Sequence, residues 1–145
     1  MRLSTFTDYG LRVLMYLTGP RDRLVTISEI AKAYQISENH LMKVVHQLGK
    51  AGYIETVRGK GGGMRLGMEP KNILVGEIVR AMESDCNLVE CMSENATCRI
   101  QDVCKLKAIV SEGLEAMFAA LNSYSIADIV DKQAAQALSR LTPTA

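Results

Sequence analysis

The stretch Thr26-Ile-Ser-Glu-Ile-Ala-Lys-Ala-Tyr-Gln-Ile-Ser-Glu-Asn-His-Leu-Met-Lys-Val-Val-His-Gln-Leu-Gly-Lys-Ala-Gly52 decides the fold. Its opening Thr26-Ile-Ser-Glu29 has the capping-box pattern, so it predicts a short helix through Ile30, Ala31 and Tyr34. A brief turn at Gln35-Ile36 follows, and Ser37 caps a second helix with Leu41, Val44, Val45 and Leu48 on one face. Ala51-Gly52 ends that helix, because glycine takes the left-handed position past a C-terminus without strain. Two short helices joined by a few residues form a helix-turn-helix.

Downstream, Tyr53-Ile-Glu-Thr-Val57 and Met64-Arg-Leu66 are short strand-forming segments around the basic, glycine-rich tip Arg58-Gly-Lys-Gly-Gly-Gly63. They predict a hairpin, the wing. The tip resembles a phosphate-cradling loop only weakly, since it lacks the Gly-Lys-Ser/Thr ending and a following helix. Pro70 marks the exit, and a helix is expected over about Val75 to Met82. Upstream, a helix is expected over about Thr7 to Leu17, stopped by Gly19-Pro20.

Glu83 to Arg99 is polar and weakly periodic and is expected to be a loop. A long helix is expected from about Ile100 to Asn122. Its Val103, Leu106, Val110, Gly113, Met117 and Ala120 have coiled-coil spacing, with Ile109, Leu114, Phe118 and Leu121 widening the stripe, so a homodimer is expected. Ser125 caps a last helical piece through Ile126 and Ile129. The fold class is mainly α with a small β-hairpin. Residues 1–82 are expected to form a winged helix-turn-helix DNA-binding domain, with 83–99 as a cluster-binding loop and 100–145 as the dimerisation and C-terminal helices, functions argued from the residues below.

Apolar residues make up 48% of the 145 residues, enough for a core. No window approaches a membrane span, and Asp8 and Arg12 break up any secretory signal, so a cytoplasmic protein without membrane contact is expected. Residues 1–70 carry 10 Lys/Arg against 6 Asp/Glu, and residues 71–145 carry 7 against 10. A basic first half suits contact with double-stranded DNA.

The second helix of a helix-turn-helix enters the major groove. Asn39, His40, Lys43 and Gln47 lie off its apolar face and suit base edges or phosphate, with Ser28 and Ser37 at the two helix starts. Arg58, Lys60, Gly61, Gly62 and Arg65 complete the DNA-binding set on the wing, where the glycines let the backbone approach phosphate or the minor groove. No nucleophile–histidine arrangement suggests an enzyme.

Cys86, Cys91, Cys98 and Cys104 are spaced C-x4-C-x6-C-x5-C. Four thiols within 19 residues suggest a shared metal in a reducing compartment. Zinc favours tighter pairs, and neither histidine is near, so the wide spacing suits a larger iron–sulfur object. A zinc-stabilised or thiol-oxidation sensor on the same scaffold is the competing reading. Cys104 is expected in the first turn of the long helix, where the helix dipole favours thiolate.

The motifs Phe6-Thr-Asp-Tyr-Gly-Leu-Arg12, His40-Leu-Met-Lys-Val-Val45, Val57-Arg-Gly-Lys-Gly-Gly-Gly-Met-Arg-Leu66 and Val89-Glu-Cys91 through Cys104-Lys-Leu106 together resemble the bacterial family of iron–sulfur winged-helix transcription repressors, and most closely its nitric-oxide-sensing branch. The resemblance covers almost the whole chain. It implies a homodimer with one [4Fe–4S] cluster per subunit, held by Cys91, Cys98, Cys104 and, across the dimer, Asp8 of the partner subunit. Cys86 has no counterpart in that set. Family members with a [2Fe–2S] cluster place a histidine where Lys107 stands, which counts against that version. Without the resemblance, Asp8 reads as a helix-start carboxylate three residues after Thr5.

The resemblance also implies a repressor that releases its operator when nitric oxide nitrosylates or removes the cluster. An iron or iron–sulfur-status regulator of the same family is the alternative. Losing the cross-subunit Asp8–iron bond is expected to free the first helix and let the recognition helices drift from half-site spacing, about 34 Å or a multiple.

Overall fold

The computed structural model describes residues 2–141. The chain forms α1 (Thr5–Leu17), α2 (Ile27–Tyr34), α3 (Glu38–Lys50), the hairpin β1 (Ile54–Val57) and β2 (Gly63–Leu66), then α4 (Val75–Met82), α5 (Leu106–Leu121), α6 (Ile126–Ile129) and α7 (Lys132–Ser139). Two single 3-10 turns, Pro70–Asn72 and Glu90–Met92, punctuate the links. The fold is the mainly helical, hairpin-bearing winged helix expected from the sequence.

Each element of the reader has a local cause. Ser4 caps α1 through the Thr7 N–H, and Thr26 caps α2 through the Glu29 N–H. The capping box at Thr26 is only half formed, because the Glu29 carboxylate turns away to Arg23 and Tyr16. Gln35 takes a left-handed conformation, φ 55°, to reverse the chain into α3. Ser37 occupies the N-cap position of α3, but its side chain makes no capping bond. In the hairpin, Ile54 pairs with Leu66 and Val57 with Gly63. An isolated bridge between Val25 and Met64 stitches the wing to the segment before α2.

One main core gathers Val13, Leu14, Tyr16 and Leu17 of α1 with Ile30, Leu41, Val44, Leu48, Ile54, Met64, Ile78 and Met82. Tyr16 is almost fully buried, and its hydroxyl needs a partner there. It donates to Glu29 at 2.8 Å, while Arg23 grips the same carboxylate at 2.6 and 2.8 Å. The Arg23 hydrogen bonds hold the Glu29 carboxyl below the usual carboxylate range, whereas burial and the Glu29 contact raise the Tyr16 phenol.

The chain leaves this core at Met82 and returns at Ile126. The return is stitched by Ile126 N–H to the Ile73 carbonyl and Val75 N–H to the Tyr124 carbonyl, each 2.9 Å. Ser125 and Asp128 form a complete capping box at the start of α6. Between these points lies an arm with its own small cluster: Val79 of α4 against Leu114 and Phe118 of α5. Arg80 strengthens this joint, stacking 3.9 Å from the Phe118 ring centroid and pairing with Glu115 at 3.2 Å.

The long helix starts at Leu106, not at Ile100 as the sequence suggests. Ile100 and Val103 are 59% and 83% exposed, so the packing that sustains a helix is missing there. Cys104 therefore precedes α5 instead of lying in its first turn. The apolar seam also differs in detail. Val110, Met117 and Leu121 lean toward the Leu114–Phe118 side and are half-buried. Leu106, Ile109, Gly113, Ala116 and Ala120 form the exposed stripe, in alternating steps of three and four. Nothing lies within 4 Å of where a Gly113 Cβ would stand.

Candidate nucleic-acid interface and thiol loop

The core face of α3 fixes what the helix shows to solvent. With Leu41, Val44, Val45 and Leu48 buried, Asn39, His40 and Lys43 are exposed near its amino end. Ser37 is exposed just before them, and Ser28 is half-buried near the start of α2. Gln47 behaves differently. It is half-buried, and its amide donates to the Ala81 carbonyl at 3.2 Å, so it faces α4. The structure instead adds His46 and Lys50 to the exposed face. The signal for both was present in the sequence, since they continue the three- and four-residue steps from Asn39 and Lys43.

On the wing, Arg58 and Lys60 are exposed at the tip. Gly59 and Gly61 have φ of 97° and 77°, conformations that L side chains rarely adopt. A Cβ on Gly62 would press on the Val57 and Gly59 carbonyls, so a glycine there lets the tip close. Arg65 lies on β2 and pairs at 3.0 Å with Glu55, its register partner. Arg58 and Lys60 are thus the tip cations not committed to a carboxylate in any ion pair among the described residues.

The amino end of α1 flanks the recognition helix. Thr5, Phe6 and Tyr9 enclose a cavity of about 200 Å³ with His40, Lys43 and Val44. Asp8, one residue away, pairs with Arg12 at 2.9 Å across one helical turn. It is not the capping residue, a role Ser4 fills. Arg12 also stacks near the rings of Tyr9 and Tyr34, at 5.9 and 5.8 Å. Four buried apolar side chains, Val13, Leu14, Tyr16 and Leu17, anchor α1 in the core.

All four cysteines are free thiols and half-buried. Among the described residues, no three His, Cys, Asp or Glu side chains are drawn together as a metal-holding set. Cys86 packs against the Val79–Leu114–Phe118 cluster, together with Met92. Cys91 and Cys98 are flanked by a clasp: the Glu90 carboxylate accepts from the Thr97 N–H at 3.0 Å and from its hydroxyl at 2.7 Å. Those bonds hold the Glu90 carboxyl below its usual range. Cys104 Sγ accepts from the Leu106 N–H at 3.5 Å. Three soft sulfur donors in one loop suit iron–sulfur chemistry better than hard-cation chemistry.

The loop is tied to the reader at its root. Glu83 accepts from the Ser4 N–H at 2.8 Å, linking residues 79 apart in sequence. Burial alone would raise the Glu83 carboxyl, but hydrogen bonds from Thr7 and Ser4 hold it below its ordinary value. Beside it, Gly10 of α1 meets Met82 so closely that an added Cβ would stand 2.8 Å from the methionine methyl. No sequence motif signals either contact.

A family profile described as "Rrf2: Iron-dependent Transcriptional regulator" matches residues 3–132. A relative from Bacillus subtilis (strain 168), named HTH-type transcriptional regulator NsrR, is 50% identical over 132 residues, covering 90% of each chain. The solved structure described as T. potens IscR superposes with a TM-score of 0.72 at 26% identity, over 94% of this chain and 90% of that one. The structure of CymR (YrzC), the global cysteine regulator of B. subtilis, gives a TM-score of 0.69 at 28% identity, over 89% and 95%.

Proposed function

Because the chain belongs to the Rrf2 family of iron-dependent transcriptional regulators, we propose that it is a cytoplasmic homodimeric repressor that senses nitric oxide through a [4Fe–4S] cluster in each subunit. At the coarser level, it is a DNA-binding regulator of transcription and not an enzyme. Among the described residues, no helix is long and apolar enough to cross a membrane.

In this reading Asn39, His40, Lys43 and His46 meet base edges or phosphate in the major groove, with Ser28 and Ser37 beside them. Arg58 and Lys60 carry the wing to the minor groove or backbone, and Gly61 and Gly62 let it approach. Gln47 and Arg65 complete the DNA-contacting set, steadied by their bonds to Ala81 and Glu55. A second copy covers the exposed α5 stripe.

Cys91, Cys98 and Cys104 would hold the cluster, with Asp8 of the partner subunit as the fourth ligand. When bound, such a cluster supplies iron that nitric oxide attacks. For Asp8 to reach iron it must leave Arg12. An exposed ion pair of that kind is worth about 1 kcal/mol or less, so the exchange costs little. Arg12 also lies 5.8 Å from the Tyr34 ring centroid, a contact that does not involve Asp8.

The observation that carries the reading is the root of the thiol loop. Glu83 on Ser4, and Met82 on Gly10, join the loop to the helix that flanks α3. A change in the loop therefore has a packed route to the recognition helix.

The test is anaerobic purification followed by a visible-absorption titration with nitric oxide, with operator affinity measured in parallel at one salt concentration. A brown protein that binds DNA and releases it on nitrosylation is expected. Absence of iron and sulfide would overturn the cluster. Equal binding by holo and apo protein would overturn the switch.

A further inference from the structure

Among the described residues of α1, α2 and α3, Met42 is the only large apolar side chain left exposed, with 51% of its surface in water. It sits in the first half of α3, the part of a recognition helix that meets base edges. The helical period places it next to Asn39, three residues before, and His46, four after, on the face opposite the core. Leu41 and Val44, its near neighbours in sequence, are buried, so the exposure belongs to position 42 and not to a loose helix.

Its surroundings narrow what an apolar group can do there. Asn39, Lys43, His46 and Lys50 make the face polar and basic. In the major groove, nearly every base-edge group is a hydrogen-bond donor or acceptor, and the thymine C5 methyl is the apolar exception. A methionine against a donor or acceptor would bury it unpaired, at a cost. Against a thymine methyl, both partners lose only contact with water. The flexible thioether can also adjust to a methyl whose exact position depends on local groove shape.

We propose that Met42 is a specificity-determining residue that reads the methyl group of one thymine in each half-site. The proposal rests on the DNA-binding reading.

The probe is a DNA duplex enriched from a random-sequence library by the full-length protein, purified anaerobically as in the test above and run in parallel with and without its iron and sulfide. Each thymine of that duplex is then replaced singly by deoxyuridine, which removes the methyl and nothing else. Wild-type protein should lose about four-fold in affinity at one thymine per half-site, the scale of one buried methyl-sized group. Met42→Ala should bind the parent duplex more weakly and be indifferent to the methyl at that thymine alone. Met42→Leu, still apolar, should keep the sensitivity. Superimposable deoxyuridine profiles for wild type and Met42→Ala would overturn the proposal, as would a wild-type profile with no sensitive thymine. Failure to enrich any sequence would overturn the DNA-binding reading and this proposal with it. Enrichment without a Met42-dependent thymine would overturn this proposal alone.

Discussion

Glu90 and Thr97 each stand one residue before a cysteine, so the clasp between them sets Cys91 and Cys98 at the two ends of one closed loop. The ordering comes from a single carboxylate oxygen accepting two hydrogen bonds. Thr97→Val removes the hydroxyl and leaves the backbone bond. Alkylation of Cys91 and Cys98 in the cluster-free protein should then quicken several-fold, while that of Cys86 stays unchanged. Unaltered rates at all positions would show that the clasp does not order the loop.

The four cysteines should separate by chemistry. Cys86→Ser should leave iron and sulfide content intact, because Cys86 packs with the Val79–Leu114–Phe118 cluster. Serine at Cys91, Cys98 or Cys104 should each abolish visible absorption. Asp8→Ala should keep the protein folded, since Ser4 caps α1, but give a cluster that assembles poorly or responds differently to nitric oxide. An Asp8→Ala protein spectrally identical to wild type would remove Asp8 from the site.

Ile109 is 64% exposed in the middle of the α5 stripe. Ile109→Glu should yield a monomer by analytical ultracentrifugation with an unchanged far-UV spectrum. Operator affinity should fall by about 100-fold or more, because two half-sites are no longer engaged together. A dimer that survives the charge would place the interface elsewhere.

The elements whose cause is local were legible in the sequence. The stripe of α3 and the glycine-rich wing tip depend on nearest neighbours, and both stand where the pattern put them. The start of α5 was not legible, because it turns on whether Ile100 and Val103 find anything to pack against. The Gln47 bond to the Ala81 carbonyl was not legible either, because it depends on α4 being brought beside α3. Glu83 and Ser4 meet across 79 residues, a pairing no local pattern encodes. The cysteines were legible as a group, and the packing of Cys86 into the small cluster is a tertiary fact.

Gly76 marks the tightest point of the joint between α4 and α5. A Cβ there would meet the Asn122 side chain and stand 2.9 Å from the Phe118 carbonyl, which is backbone and cannot swing aside. Gly76→Ala should therefore destabilise the protein by about 1–3 kcal/mol in urea titration. A neutral result would mean the two helices separate without cost.

Acid should dissolve the Tyr16–Glu29–Arg23 knot. The Glu29 carboxyl is held below its ordinary value of 4.5, first by Arg23. Its contribution is thus complete above that pH and is lost as pH falls through the lower folded value. Glu29→Gln should cost about 1–3 kcal/mol at neutral pH, and the stability curves of the two proteins should converge as pH falls below the ordinary carboxyl value of 4.5. Parallel curves would show that the carboxylate's charge contributes nothing.

The excursion between Met82 and Ile126 has a consequence for how such a protein can change over generations. The arm leaves the main core at Met82, the carboxyl end of α4, returns at Ile126 beside Ile73 at its amino end, and touches α4 through Val79 and Arg80. Its sequence can drift, lengthen or exchange its donor atoms while the reader beneath it stays the same. Inheritance can then rewrite what is detected and what is recognised on DNA separately, with the few residues at the joint as the common grammar.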